Sequence, residues 1–204
     1  MYNFVTLLYG DAYLSNLTLI LLAAGSSSRF AQEVKKQWLR VDHKPLWQFV
    51  ADNFENTEMF DKIIITASND DIAFMKNYAN YTFVKGADSR QKSLKNALKE
   101  VKTEYVLVSD IARACIGKEF LNTILNTIGS ADCIVPFLKV QDTIVYKNAT
   151  IDREKVKRIQ TPQLSQTSIL KKALKTDEEF TDESSAIVAI GGSRAFILGE
   201  EFIG

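Results

Sequence analysis

The chain has 204 residues, 46% of them hydrophobic, and its 25 Lys plus Arg balance 25 Asp plus Glu for a formal net charge of zero. That length suits one ordinary domain with a sizeable core, and the balance removes any general electrostatic case for binding nucleic acid or an anionic membrane. Two cysteines without metal-ligand spacing, Cys115 and Cys133, and a single histidine, His43, exclude a disulfide framework and His-rich metal centres, and fit a reducing cytoplasm.

Residues 1–16 are mildly apolar but include Asp11 and lack a basic leading stretch, so no signal peptide is expected. No apolar run reaches the roughly 20 residues of a membrane span. The first strong element is 17–22, an apolar run that ends in Ala23-Ala24-Gly25-Ser26-Ser27-Ser28-Arg29, with Lys35-Lys36-Gln37 a few residues on. It reads as a buried strand entering a small-residue loop. His43, before Lys44-Pro45, reads as a surface turn residue. Leu46, Phe49, Val50 and Phe54 make a helical face, 62–67 a second strand, and Ile72, Met75 and Tyr78 a second helical face. Strands follow at 81–84, 105–108 and 133–137, separated by helical faces at Leu94, Leu98 and Val101 and at Phe120, Ile124 and Ile128. This alternation predicts an α/β fold of three layers, with a mainly parallel sheet between helices.

After Phe137 the pattern changes. Residues 143–147 and 156–160 read as two extended segments pairing into a β-arm, placed at 138–160 within a single domain spanning 1–204. A helix is expected over 165–174. Asp182 is the expected N-cap of a further helix that Gly191-Gly192 ends, and 195–198 makes a last strand.

In open α/β sheets ligands bind beyond the carboxyl ends of the strands. Those ends carry Ala23-Ala24-Gly25 with Arg29, then Gly86-Ala87-Asp88-Ser89-Arg90 with Ser93, then Ser109-Asp110-Ile111-Ala112-Arg113. A loop of small residues lets backbone N–H groups approach phosphates, and Arg29 and Lys36 are placed to neutralise charge during phosphoryl transfer. Each also reads as an ordinary solvated cation, Lys36 especially, because Lys35 beside it resembles a plain charged face. Asp110 closes an apolar strand, where a carboxylate needs a partner. A Mg²⁺ ion bridging phosphates is one such partner, and an ion pair with Arg113 or an N-cap role is another. No Gly-Lys-Ser/Thr follows the first loop, and Ser27 stands at the second glycine of a dinucleotide-binding pattern, which argues against P-loop ATPases and dehydrogenases.

Together with Asp142-Thr143, Arg153, Thr161-Pro162-Gln163 and Thr181-Asp182-Glu183, these motifs resemble the nucleotidyltransferases. More closely, they resemble the 2-C-methyl-D-erythritol 4-phosphate cytidylyltransferase family of non-mevalonate isoprenoid biosynthesis. The resemblance implies a Rossmann-like nucleotidyltransferase fold and a reaction joining CTP to methylerythritol phosphate with release of pyrophosphate. It implies Arg29 and Lys36 as catalytic cations and Ala23, Ala24, Gly25, Asp88 and Ser93 around CTP. Asp110 is implied near a divalent cation such as Mg²⁺ and near the substrate, with Arg113, Thr143, Arg153 and Thr181 holding the alcohol phosphate. A homodimer exchanging its arms is implied as well. The chain departs from the family pattern at Ile111 and Ala114, at Ala87 where glycine is usual, and in lacking a further Lys in its last residues. It is similar to the members fused to a C-terminal cyclodiphosphate synthase, which implies a chain cut from a longer protein. The competing expectations are a ribitol-phosphate-type cytidylyltransferase and an inactive nucleotide-binding domain.

Overall fold

The run at 17–22 leaves neither face to water: all six of its residues are buried, as a strand covered on both sides requires. The structure, a computed structural model, describes residues 16–25 and 34–203. In chain order the strands are β1 (Leu17–Leu22), β2 (Arg40–Val41), β3 (Lys44–Pro45), β4 (Lys62–Ala67), β5 (Thr82–Lys85) and β6 (Tyr105–Asp110). They continue as β7 (Cys133–Lys139), β8 (Ile144–Tyr146), β9 (Ala149–Ile151), β10 (Lys157–Ile159), β11 (Gln163–Gln166) and β12 (Arg194–Leu198). The helices are α1 (Leu46–Glu55), α2 (Asn69–Met75), α3 (Arg90–Leu98), α4 (Lys118–Leu125), α5 (Thr167–Ala173) and α6 (Glu183–Ala189).

The main sheet runs β12-β7-β11-β6-β1-β4-β5, and β10 joins the edge of β7 that also carries β11. Strands β5, β4, β1 and β6 are mutually parallel, so their carboxyl ends emerge on one side of the sheet. Alternation along β1 divides the core. Leu19 and Leu21 pack with Trp47, Val50 and Phe54 of α1 and with Phe120, Leu121 and Ile124 of α4. Ile20 and Leu22 face the other way, toward Leu94 and Leu98 of α3, Leu170 of α5 and Ile187 of α6. These are the expected three layers. Each fully buried aliphatic side chain contributes about 1.5–3 kcal/mol, so the two clusters supply the main driving force for the layered arrangement. Side chains of Ser68, Ser89 and Asp182 cap α2, α3 and α6 by accepting from the backbone N–H of Asp71, Lys92 and Ser185. Among the described residues no helix is long and apolar enough to cross a membrane. His43 lies at an exposed turn, with its Nε2 3.3 Å from Asp42 Oδ1.

Two expectations are corrected. The segments at 143–147 and 156–160 do not pair with each other. β8 instead turns back onto β9, with Tyr146 opposite Ala149. Lys147 and Asn148 at that turn both adopt positive φ, 50° and 63°, the conformation of a two-residue type I′ hairpin. The later segment supplies β10, which pairs antiparallel with β7 and sets Lys157 opposite Lys139. The helix expected over 165–174 begins at Thr167, because the residues before it form β11, an antiparallel strand between β6 and β7. Asp182 and Gly191 (φ +83°) bound α6 as expected, and the final strand is present as β12.

Candidate active site

Three loops meet at the carboxyl ends of the parallel strands. Asp110 is the register partner of Leu22, and the Ile111 N–H donates to the Leu22 carbonyl at 3.1 Å, so Ala23 and Ala24 leave the sheet beside Asp110. Ala23 is held in turn by its N–H to the Thr66 carbonyl, 3.0 Å. Gly86 donates its N–H to the Ala67 carbonyl at 2.8 Å and lies against Ala24 so closely that a Cβ on it would sit 2.1 Å from the Ala24 Cβ. Only glycine permits that approach, and it brings the loop after β5 against the loop after β1.

Ser93 lies under the second loop. Its buried hydroxyl donates to the Ser89 carbonyl at 2.8 Å and accepts from the Ala87 N–H at 2.9 Å. It therefore shapes the loop from within. Asp88 is exposed, and its bond to Lys92 Nζ at 2.9 Å holds its carboxyl below the usual carboxylate range. Gly25 is exposed, and among the described residues nothing lies within 4 Å of where a Cβ on it would sit.

The Asp110 carboxylate is held from two directions. Arg90 Nε donates to Oδ1 at 3.2 Å, and the Thr161 hydroxyl donates to Oδ2 at 3.1 Å. Arg113 does not pair directly with Asp110. Its Nε donates to Thr161 Oγ1 at 3.2 Å, one step removed. Thr161 precedes Pro162 through a cis peptide, between β10 and β11. Behind Arg90 lies Glu183, the first residue of α6, whose side chain is 0% exposed and accepts from Arg90 Nη1 and Nη2. Burial opposes the Arg90 charge, but Glu183 and Asp110 keep the guanidinium protonated beyond its ordinary value. Burial pushes the Glu183 carboxyl above its ordinary value, with the Arg90 charge as the opposing influence. Two guanidinium groups and two carboxylates make this network electrically balanced.

The remaining expected residues are dispersed. Arg29, with Ser26, Ser27 and Ser28, lies outside the described residues. Lys36 opens a 3-10 turn (Lys36–Trp38) and is half-buried. Lys35 is not part of a plain charged face: its ammonium pairs at 2.7 Å with Asp71, a buried carboxylate that also accepts from Trp38 Nε1 and the Ser68 hydroxyl. Thr143 is exposed just before β8. Arg153 is also on the arm, where its Nη1 donates to the Gln141 carbonyl at 2.6 Å. Thr181 is exposed immediately before the α6 cap. The sequence reading gives no role to Arg90, Thr161 or Glu183. The motifs around them are visible in the chain, but only the sheet joins positions 90, 110, 161 and 183.

The sequence profile of IspD, 2-C-methyl-D-erythritol 4-phosphate cytidylyltransferase, matches residues 17–202. The chain is 67% identical over 201 residues to the bifunctional enzyme IspD/IspF of Sulfurimonas denitrificans, covering 98% of this chain and 52% of that protein. Its fold is similar to the bifunctional IspDF of Campylobacter jejuni, with a TM-score of 0.88, 46% identity, and coverage of 92% of this chain and 51% of the other. It is also similar to the 2-C-methyl-D-erythritol 4-phosphate cytidylyltransferase of Francisella tularensis, with a TM-score of 0.78, 25% identity and 93% of each chain covered. The chain thus spans about half the length of the curated relatives it matches. On this match, and on a layered sheet whose strand ends gather the small-residue loop, Gly86 and the Asp110 network, the chain belongs to the 2-C-methyl-D-erythritol 4-phosphate cytidylyltransferase family.

Proposed function

We propose that the chain transfers a cytidylyl group from CTP to 2-C-methyl-D-erythritol 4-phosphate and releases pyrophosphate, a step of non-mevalonate isoprenoid biosynthesis. The single observation carrying this reading is the juxtaposition at one sheet end of a close-approach loop (Ala24 against Gly86) with a carboxylate fixed by Arg90 and Thr161. A phosphate oxygen of the alcohol phosphate attacks the α-phosphorus of CTP in line. A new P–O bond forms as the bond to the β-phosphate oxygen breaks, and the electron pair leaves on pyrophosphate. No covalent enzyme intermediate is needed, so the protein acts by positioning and by charge neutralisation.

In this reading Ala23, Ala24 and Gly25 admit the nucleotide phosphates to the backbone, Ser93 keeps the Gly86–Ser89 loop in shape, and Asp88 lies at its rim. Arg29 and Lys36 supply the positive charge that the balanced Asp110 network lacks. Arg113, Thr143, Arg153 and Thr181 bind the alcohol phosphate, with Asp110 facing it. The donor chemistry at Asp110 suits a hard cation: each oxygen accepts one hydrogen bond and keeps a lone pair for another ligand. No cluster of three or more metal-ligating side chains occurs among the described residues, so Mg²⁺ would draw its other ligands from phosphates and water. When bound, the ion would lower the negative charge at the reacting phosphates. We further propose a cytoplasmic homodimer joined through the arm, and a cyclodiphosphate synthase domain in the full-length protein.

A pyrophosphate-release assay with CTP, Mg²⁺ and either methylerythritol phosphate or ribitol phosphate tests the reading. Turnover with methylerythritol phosphate is expected. Preference for ribitol phosphate overturns the substrate, and CTP binding without release overturns the activity.

A further inference from the structure

We propose that Glu183 is a positioning residue: acting through Arg90, it holds the Asp110 carboxylate in the orientation that accepts from hydroxyls of the alcohol phosphate. The inference rests on the cytidylyltransferase reading and deepens it, since Glu183 itself touches neither substrate.

The guanidinium of Arg90 is divided between two carboxylates. Its Nη1 and Nη2 face the Glu183 oxygens, which leaves Nε alone for Asp110 Oδ1 at 3.2 Å. A carboxylate offered a free guanidinium takes it in a two-point, fork-to-fork contact, using both oxygens. Glu183 prevents this by occupying the terminal nitrogens. Asp110 therefore keeps Oδ2 for Thr161 and retains an unused lone pair on each oxygen.

Glu183 suits this task because it is buried and its helix start is anchored on both sides. Its side chain is 0% exposed. The preceding Asp182 caps α6, accepting from the Ser185 N–H at 3.1 Å and from the hydroxyls of Ser184 and Ser185 at 2.6 and 2.8 Å. The following Ser184 donates its N–H to Gln163 Oε1 at 3.1 Å, which ties the helix start to β11. A buried ion pair is in general a weak source of stability, because desolvation offsets most of the attraction. What it does supply is a fixed direction. By contrast Arg90 and Asp110 are 31% and 37% exposed, so the pair at the site mouth has room to rearrange once Glu183 is neutral.

The test uses the full-length protein. In Glu183→Gln, which keeps size and shape, Arg90 is free to close on Asp110, and KM for methylerythritol phosphate should rise about 10–100-fold, the equivalent of one charge-assisted hydrogen bond. KM for CTP should rise less, since only its Mg²⁺ contact passes through Asp110 while the Ala23–Gly25 and Gly86 loops are untouched. Arg90→Lys, a point charge in place of the fork, should give the same split, and it carries the test should Glu183→Gln not fold. Equal rises in both KM values, or none, overturn the inference. A crystal structure of Glu183→Gln gives a readout independent of turnover. Arg90 rotated into two-point contact with Asp110 supports the inference, and an Arg90 left in place overturns it. Absence of pyrophosphate release by the unmodified protein would overturn the cytidylyltransferase reading instead, with the Arg90 rotation still deciding the positioning role.

Discussion

Asp71 gathers four side chains: Lys35 Nζ, Trp38 Nε1 and the Ser68 hydroxyl at 2.7 Å and Gln37 Nε2 at 3.3 Å. Through them it pins the segment holding Lys36 to the start of α2. Burial raises the Asp71 carboxyl, but the hydrogen bonds from Lys35, Trp38 and Ser68 outweigh it, and the group lies below its ordinary 3.8. A depressed folded-state value means that the contribution is complete above pH 3.8 and is lost as pH falls through the folded-state value. Asp71→Asn should therefore destabilise the protein by about 2–3 kcal/mol in neutral solution. Urea denaturation should show the gap between variant and parent closing below about pH 4 and constant above about pH 5. Lys36 tests the chemistry rather than the frame. Lys36→Ala should lower kcat by about 10²–10³-fold, the usual loss for a charge-stabilising donor. Steady-state turnover checks this, and an unchanged kcat removes Lys36 from the mechanism.

At the level of elements, what the chain reveals depends on where each strand keeps its apolar atoms. β1 and β4 lie in the sheet centre, covered on both faces, and continuous apolar runs announce them with their limits intact. β11 is just as buried but reads Gln-Leu-Ser-Gln, with Gln163 0% and Ser165 1% exposed. Gln163 serves Ser184 and Gln160 through its amide, so the strand has polar side chains where a periodicity search looks for apolar ones. The β8–β9 turn hides for another reason: Lys147-Asn148 holds the left-handed conformation without the glycine that usually signals it. Lys147→Asn combined with Asn148→Gly should relieve that strain and stabilise the hairpin by about 0.5–1 kcal/mol. Slower amide hydrogen exchange in β8 and β9 is the expected sign. For the site the same division holds. Asp110, Ser93 and Gly86 stand next to strand ends that the pattern marks, whereas Glu183 and Thr161 reach the site from distant parts of the chain through β11 and α6.

At the scale of the whole molecule, the chain carries no formal net charge, so net-charge attraction is a poor driver of self-association. The tip of the arm offers apolar contact instead: Val145 is 62% and Tyr146 61% exposed. If these side chains enter a second protomer, as the proposed dimer requires, Val145→Glu with Tyr146→Lys should yield monomers in sedimentation velocity runs in which the parent is dimeric. A monomeric parent would dispose of the dimer. The arm also has closed roots. Lys139 and Lys157 face each other across β7 and β10, so residues 140–156 begin and end at neighbouring points of the sheet. An excursion anchored this way can be lengthened, shortened or exchanged as a cassette at little cost, since closure entropy changes only slowly with length. On the proposed function Thr143 and Arg153 ride on this cassette while Asp110, Arg113 and Thr181 stay on the frame, so one part of the alcohol contact can drift at the periphery while the rest stays fixed.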